Sequence, residues 1–325
     1  MGDPVIFQIE RIYYPVLAAI GVIVNLVAIV ILRRGKCGLS KCITSYLVAM
    51  SVADLLLVVF NVILNRINNI YFPVNFLLIT PVCAARAVLF FGVLDSSVWF
   101  TVAFTFDRYV AICCVKLKPR YCTEKTAAVV LSVVGACGFL RSVPRYFEFM
   151  PSVVIDNVPW FCIQTPAYYT SLFWTAYEWV DSLLTPLIPI ALILVFNALT
   201  VRNIVKANRL RRGLRADSKG ENRADPEAEN RRKSIALLFG LSANFILMWA
   251  TYVVHSLNWM VVNYNYTDRS ISNPIYIAQQ SGFMLRLLSS CTNTCIYALT
   301  QSKFREELKN GVAYPFTQVV KLFKQ

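Results

Sequence analysis

The sequence predicts an all-α membrane protein, a seven-transmembrane helix bundle with a short amphipathic eighth helix, and three observations lead there. The 325 residues are 57% hydrophobic and only 15% charged, with mean hydropathy +0.55; soluble domains average about 25% charged. Seven apolar runs are each long enough to cross the hydrocarbon core, which takes about 20 helical residues. The runs are continuous rather than alternating, so helices and not a β-barrel satisfy the backbone in lipid.

The seven spans fall at 12–33, 43–65, 80–114, 126–147, 172–203, 232–262 and 275–299. Lys and Arg cluster after the first, third, fifth and seventh, as in Arg33, Arg34, Lys36 and Lys41, or the block from Lys206 to Lys233. The opposite loops hold few, chiefly Arg11, Arg66, Arg145 and Arg269. The positive-inside rule therefore expects an extracellular N-terminus (1–11) and a cytoplasmic tail (300–325), in a multi-pass protein of the plasma membrane. No cleavable signal is expected, because MGDPVIFQIE has no basic n-region. Residues 206–233 are polar, with Gly213, Gly220 and Pro226, and read as a cytoplasmic loop with helical ends. In the tail, Phe304 and Leu308 amid lysines suggest a helix lying in the interface. Net charge is +14, from 32 Lys and Arg against 18 Asp and Glu. Those charges sit in short blocks between apolar runs, which is membrane topology and argues against a nucleic-acid partner. The lipid bilayer is the first partner.

Of ten cysteines, only Cys83 and Cys162 fall near the outer, oxidising side in this topology. A bridge between them would pin the loop after the fourth span over the bundle's mouth; two free thiols are the alternative. Cys291 and Cys295, one turn apart with no histidine near, suit packing better than a metal. The one Asn-x-Thr triplet, Asn265-Tyr266-Thr267, lies in the expected outer loop and is a glycosylation candidate.

Polar groups inside membrane helices are functional candidates by default. Asn25, Asp54, Ser97, Ser289, Ser290 and Asn293 are mid-span. Helical spacing puts Arg286, Ser290, Asn293 and Tyr297 on one stripe, and Arg86, Ser97 and Arg108, eleven residues apart each, on one face. From Cys83 to Arg108 is roughly 37 Å of helix, so Asp107-Arg108 stands at the far mouth rather than mid-membrane. A plain boundary charge pair is the bland alternative.

This set of marks resembles the rhodopsin-like (class A) G-protein-coupled receptors over residues 11–310. The marks are Gly21-x3-Asn25, Asp54, Cys83 with Cys162, Asp107-Arg108-Tyr109, Pro189, Phe245-x3-Trp249, and Asn293-x3-Tyr297 followed by Phe304. Within the family the chain looks most like the orphan group named after G-protein-coupled receptor 139. That rests on RIYYPVLAAIGV, on SVWFTVAFTFDRYVAIC and on the absence of a helix-four tryptophan.

The resemblance implies that an extracellular small-molecule or peptide ligand shifts a two-state bundle to activate a heterotrimeric G protein. Asp107, Arg108, Tyr109, Asn197, Asn293 and Tyr297 would form the G-protein switch, with Phe245 and Trp249 the helix-six switch. Asp54, Ser97, Ser289, Ser290 and Asn293 resemble the family's sodium pocket, a structural hydrogen-bond network being the alternative; no other cofactor is expected. The ligand pocket is expected at Arg86, Glu178, Asp181, Trp249, Tyr252 and Arg286. A basic and an acidic group beside aromatic rings would suit a zwitterion such as an aromatic amino acid, with which the resembled group is associated. The alternative is that Arg286 pairs with a protein carboxylate.

Three departures stand out. Thr294 replaces the usual helix-seven proline, Thr251 the helix-six proline, and Asn197 the helix-five tyrosine. Where the family often places an acid to restrain the arginine, this chain has Arg231-Arg232-Lys233. Asp107 is then the expected sole resting counter-ion of Arg108. An odorant-type receptor is the nearest rival, though extra outer-loop cysteines are missing. A retinal protein would need a helix-seven lysine, and none lies between Lys233 and Lys303. A transporter would show paired repeats, and an enzyme would need a nucleophile with its base, whereas the sole histidine is His255.

Overall fold

The apolar runs become helices that wind back and forth, in a computed structural model describing residues 5–216, 226–262 and 274–311. They are α1 (Val5–Arg33), α2 (Lys41–Tyr71), α3 (Thr80–Cys113), α4 (Glu124–Ser142), α5 in two pieces (Leu172–Ser182 and Ile188–Ala216), α6 (Pro226–Val262) and α7 (Pro274–Thr300). A further helix, α8, covers residues 302–311. Helices α1 to α6 are long and apolar enough to cross a membrane. Helix α7 has the length but carries Gln279, Gln280, Arg286 and Asn293, and its polar face is covered by α6, α1 and α2.

Lipid and core faces separate by helical spacing. On α1, Ile12, Val16, Ile20 and Ile23 are exposed at steps of four, four and three, as a lipid-facing stripe is, while Tyr14, Leu17, Gly21, Asn25 and Ala28 are buried. The core joins Tyr46, Leu47 and Met50 of α2 with Phe104 of α3, Leu237 and Leu241 of α6, and Tyr297 of α7. Glycine sets two close approaches. A Cβ on Gly21 would stand 2.8 Å from both Cys291 Sγ and Val58, and one on Gly282 would stand 3.1 Å from the Tyr252 backbone nitrogen. Asn25 fastens α1 to α7 by donating to the Ser290 carbonyl at 2.9 Å. Ser40 and Thr123 cap α2 and α4 through the Ile43 and Thr126 amides.

Several boundaries differ from the sequence expectation, each for a physical reason. Helix α1 starts at Val5 rather than 12, because Glu10 and Tyr14 face inward and the first turns bury with them. Helices α5 and α6 run deep into the polar stretch 206–233, reaching Ala216 and starting at Pro226. Nor is the chain wholly helical: β1 (Phe149–Ile155) and β2 (Val158–Gln164) form an antiparallel hairpin. Its two-residue turn, Asp156-Asn157, has positive φ at both positions, +50° and +59°, as a type I′ turn requires. Sequence reasoning assigned the helix-five proline to Pro189. The interruption of α5 is centred earlier, at Leu183–Leu187, where Thr185 leaves helical geometry (φ −150°, ψ 100°) ahead of Pro186. Helices α6 and α7 continue unbroken past Thr251 and Thr294. Widened, π-type turns instead occupy Val58–Ile67 of α2.

Candidate functional site

Chain direction places Glu10, Arg66, Cys83, Arg145 and Gln280 at one end of the bundle, and Asp107, Arg108, Ser234 and Phe304 at the other. The Cys83–Cys162 disulfide is formed. It ties β2 to the start of α3, where the Thr80 hydroxyl also donates to the Pro159 and Phe161 carbonyls. The candidate glycosylation site, Asn265, lies outside the described residues.

At the opposite mouth Asp107 is fully buried and Arg108 nearly so. Arg108 Nε donates to Asp107 Oδ2 at 2.9 Å, and its Nη2 binds the same oxygen. Such charge-assisted contacts are the strong ones. Among the described residues Asp107 is its one counter-ion, and Arg108 Nη1 also reaches the neutral Ser234 hydroxyl on α6 at 3.4 Å. Lys233 pairs with Glu229, one turn before it on α6, at 2.7 Å. Among the described residues, then, no acid of α6 holds Arg108, and a neutral hydroxyl stands in its place. Cys42 donates to Asp107 Oδ1 at 3.2 Å. Nearby, in the link between α3 and α4, burial and the Asp107 carboxylate push the Cys122 thiol up to about 12, so it stays protonated. Tyr109 stacks on Phe196 of α5. The Tyr297 hydroxyl and Asn197 Oδ1 are buried with no hydrogen-bond partner, a state that costs about 1–3 kcal/mol each. Phe304 of α8 packs edge-on against Tyr297, and Arg305 caps the Ala298 and Leu299 carbonyls.

Halfway along the bundle Asp54 is buried, its Oδ1 accepting from Ser97 at 3.0 Å and its Oδ2 from Asn293 at 2.8 Å. Asn244 of α6 joins through Asn293 and Thr292. A cavity of about 20 Å³ is lined here by Asp54, Ser97, Asn244, Trp249, Ser289 and Asn293, with Arg286 at its edge. That is room for about one water-sized species. Carboxylate, hydroxyl and amide oxygens around it fit a small hard cation. Both expected serines donate one turn back, Ser289 to the Arg286 carbonyl and Ser290 to that of Leu287, but only Ser289 lines the cavity. A wider groove of about 800 Å³, between α1, α2, α3 and α4, shares no residue with this cavity.

Above it an aromatic column rises from Phe245 to Trp249 (5.1 Å), Tyr252 (5.8 Å) and Phe283 (5.9 Å). Arg286 sits inside it, its guanidinium 4.6 Å from the Tyr252 ring centre and 5.1 to 5.8 Å from Phe283, Trp249 and Phe90. No carboxylate among the described residues pairs with it, and its Nε has no hydrogen-bond partner.

The acids expected to face this pocket face elsewhere. Glu178 and Asp181 bind Arg145 at 2.8 and 3.0 Å, Glu148 binds it at 3.1 Å, and the same guanidinium lies 3.9 Å over the Phe91 ring. Arg141 binds Asp95 and reaches Asp181, while Thr185 donates to Asp95 at 2.9 Å. Arg86 likewise turns away, donating to the Leu64 carbonyl of α2. Sequence reasoning counted Arg66 and Arg145 only as loop charges and passed over Glu10, Tyr14 and Phe283. The missed signal is that Glu10 and Tyr14 share one face of α1, and that Arg66 near the end of α2 and Arg286 in the first half of α7 lie on neighbouring helices.

A seven-helix membrane bundle, bridged at one end and closed around a buried arginine at the other, defines a transmembrane receptor rather than a transporter or an enzyme. Residues 24–297 match the family 7 transmembrane receptor (rhodopsin family), and the chain belongs to it. It is 26% identical over 315 residues to the "Probable G-protein coupled receptor 142" of Mus musculus, covering 94% of this chain and 73% of the mouse protein. It is 21% identical over 314 residues to the "FMRFamide receptor" of Drosophila melanogaster, covering 92% of this chain and 53% of that one. "Protein trapped in endoderm-1" of Drosophila melanogaster is 24% identical over 147 residues, which are 45% of this chain and 37% of that protein. The chain thus spans about half or less of the two fly proteins' length.

Proposed function

We propose that the chain is a ligand-controlled receptor that activates a heterotrimeric G protein, with the disulfide end outside and α8 in the cytoplasm. The carrying observation is Arg108, buried between α3 and α6 on Asp107 and the Ser234 hydroxyl. That arrangement is one of two states. Opening α6 breaks the Ser234 contact and frees the guanidinium for a partner, while the orphaned Tyr297 hydroxyl and Asn197 Oδ1 gain hydrogen bonds. A ligand shifts the balance by binding the open state better. The test is GDP–GTP exchange on a panel of purified heterotrimers by the receptor in lipid nanodiscs. Exchange above that of empty discs, lost in Arg108→Ala, supports the reading; no exchange on any heterotrimer overturns it.

For the ligand, the resemblance to the group named after G-protein-coupled receptor 139 favours an aromatic amino acid, and the rings around Arg286 suit one. The likeness to an FMRFamide receptor favours a peptide as the second reading. A sodium ion at Asp54, held by Ser97, Ser289 and Asn293, would stabilise the closed state as a small hard cation. Sodium-dependent thermal stabilisation that disappears in Asp54→Asn tests this without any ligand.

A further inference from the structure

Among the polar groups buried without partners at the disulfide end, four come together around Phe283 and Tyr14. They are Glu10 Oε1 and the Tyr14 hydroxyl on α1, Arg66 Nε on α2, and Arg286 Nε on α7. Tyr14, Arg286 and Glu10 are 0, 6 and 7% exposed. The two guanidiniums share one ring: Arg66 lies 5.2 Å and Arg286 5.1 Å from the centre of Phe283, so they are separated by no more than those two lengths. Arg66 also lies 5.6 Å over Tyr14, and Tyr14 is within electrostatic reach of Glu10, Arg66 and Arg286. Among the described residues, the only hydrogen bond from either guanidinium here is a long one, Arg66 Nη1 to Gln280 Oε1 at 3.5 Å. No ion pair joins Glu10 to Arg66 or Arg286.

Buried polar atoms are nearly always satisfied, and buried charges are paired. Cation–π contacts hold the two arginines but leave the Nε of each without a hydrogen-bond partner. Two cations against one carboxylate leave a net positive charge between α1, α2 and α7. Elsewhere at this end Arg141 and Arg145 also keep one nitrogen each without a hydrogen-bond partner, but both guanidiniums contact carboxylates.

We infer that Arg66 and Arg286 form a carboxylate-binding site, in which a ligand's carboxylate accepts from both guanidiniums and from the Tyr14 hydroxyl while its apolar part lies on Phe283 and Tyr252. Glu10 is the resting counter-charge, which opposes the ligand's carboxylate. The inference rests on the receptor reading for its purpose but not for its test. The carboxylate comes either from a free amino acid or from a peptide C-terminus, and the two differ only in what lies behind it.

The experiment reads binding as the ligand-induced rise in unfolding temperature of the full chain in nanodiscs, with no G protein present. The probes are L-phenylalanine, L-phenylalaninamide, and the peptide Phe-Met-Arg-Phe as its free acid and as its amide. One or both acids raise the unfolding temperature, and their amides need at least ten-fold higher concentration. The acid that binds tells which source the site accepts. Arg66→Gln and Arg286→Gln each weaken the acid at least ten-fold and erase the acid-over-amide preference. Arg66→Lys and Arg286→Lys, which keep the charge, retain part of it. Glu10→Gln strengthens acid binding, a gain that a merely structural role would not give. Equal response to acids and amides, no response to any probe at millimolar concentration, or a preference unchanged in both arginine variants overturns the inference. Failure here alongside intact nucleotide exchange leaves the receptor reading standing.

Discussion

Two arginine centres lie at the same end of the bundle and are built oppositely. Around Arg145 and Arg141, the carboxylates of Asp95, Glu148, Glu178 and Asp181 are all in contact with a guanidinium. Around Arg66 and Arg286, rings supply most of the contacts, and no carboxylate among the described residues forms an ion pair with either guanidinium. The first is a finished structural joint between α3, α4, α5 and the hairpin. The second is complete only with something added. Charge in a membrane bundle is therefore not by itself a sign of a ligand; what separates the two centres, among the described residues, is whether the guanidiniums already contact carboxylates.

The comparison is broken most readily at Arg145. Arg145→Met leaves Glu178, Asp181 and Glu148 without their cation, and breaking a buried pair this way costs about 3–5 kcal/mol. Thermal unfolding in nanodiscs should show the loss, and a drop of under 1 kcal/mol would mean the joint is not structural. Next comes Cys83→Ser, which frees the hairpin; removing a native disulfide costs about 2–5 kcal/mol, and the same assay reads it. Smaller is Ser234→Ala at the far mouth. One hydrogen bond is worth about 0.5–1.5 kcal/mol, so ligand-free nucleotide exchange should rise roughly two- to ten-fold; an unchanged rate would show that Ser234 does not restrain Arg108. Arg231→Glu places an acid near Arg108, and partly exposed pairs contribute about 0.2–1 kcal/mol. Basal exchange should fall by up to about five-fold, and a rise would contradict the reading of a weakly held closed state. The smallest effect is expected at Arg286→Met. With no acid to orphan, its stability should stay within about 1 kcal/mol of the parent, since a hydrophobic isostere replaces an unpaired cation. A loss as large as that of Arg145→Met would erase the distinction between the two centres.

Lipid solvation made the helices legible. An apolar run of 20 residues has few alternatives in a bilayer, so the seven elements, the Asp107-Arg108 boundary and the Cys83–Cys162 bridge were readable from order and spacing. Partner choice was not readable. Glu178, Asp181 and Arg286 carry the right chemistry for one pocket, yet Arg145, a residue of a different helix, takes both acids. The start of α1 at Val5 and the turning of Ser290 toward Leu287 depend in the same way on what stands opposite.

By itself, then, the sequence determined the class of protein, the number and order of its helices and the identity of the polar groups within them. Those follow from hydropathy and helical periodicity, which are local. Only the tertiary structure decided which arginines pair with carboxylates, and that Ser234 rather than an acid of α6 stands beside Arg108. Hydrogen bonds and ion pairs act over about 3 Å between helices far apart in the chain, and no local pattern encodes which pairs meet.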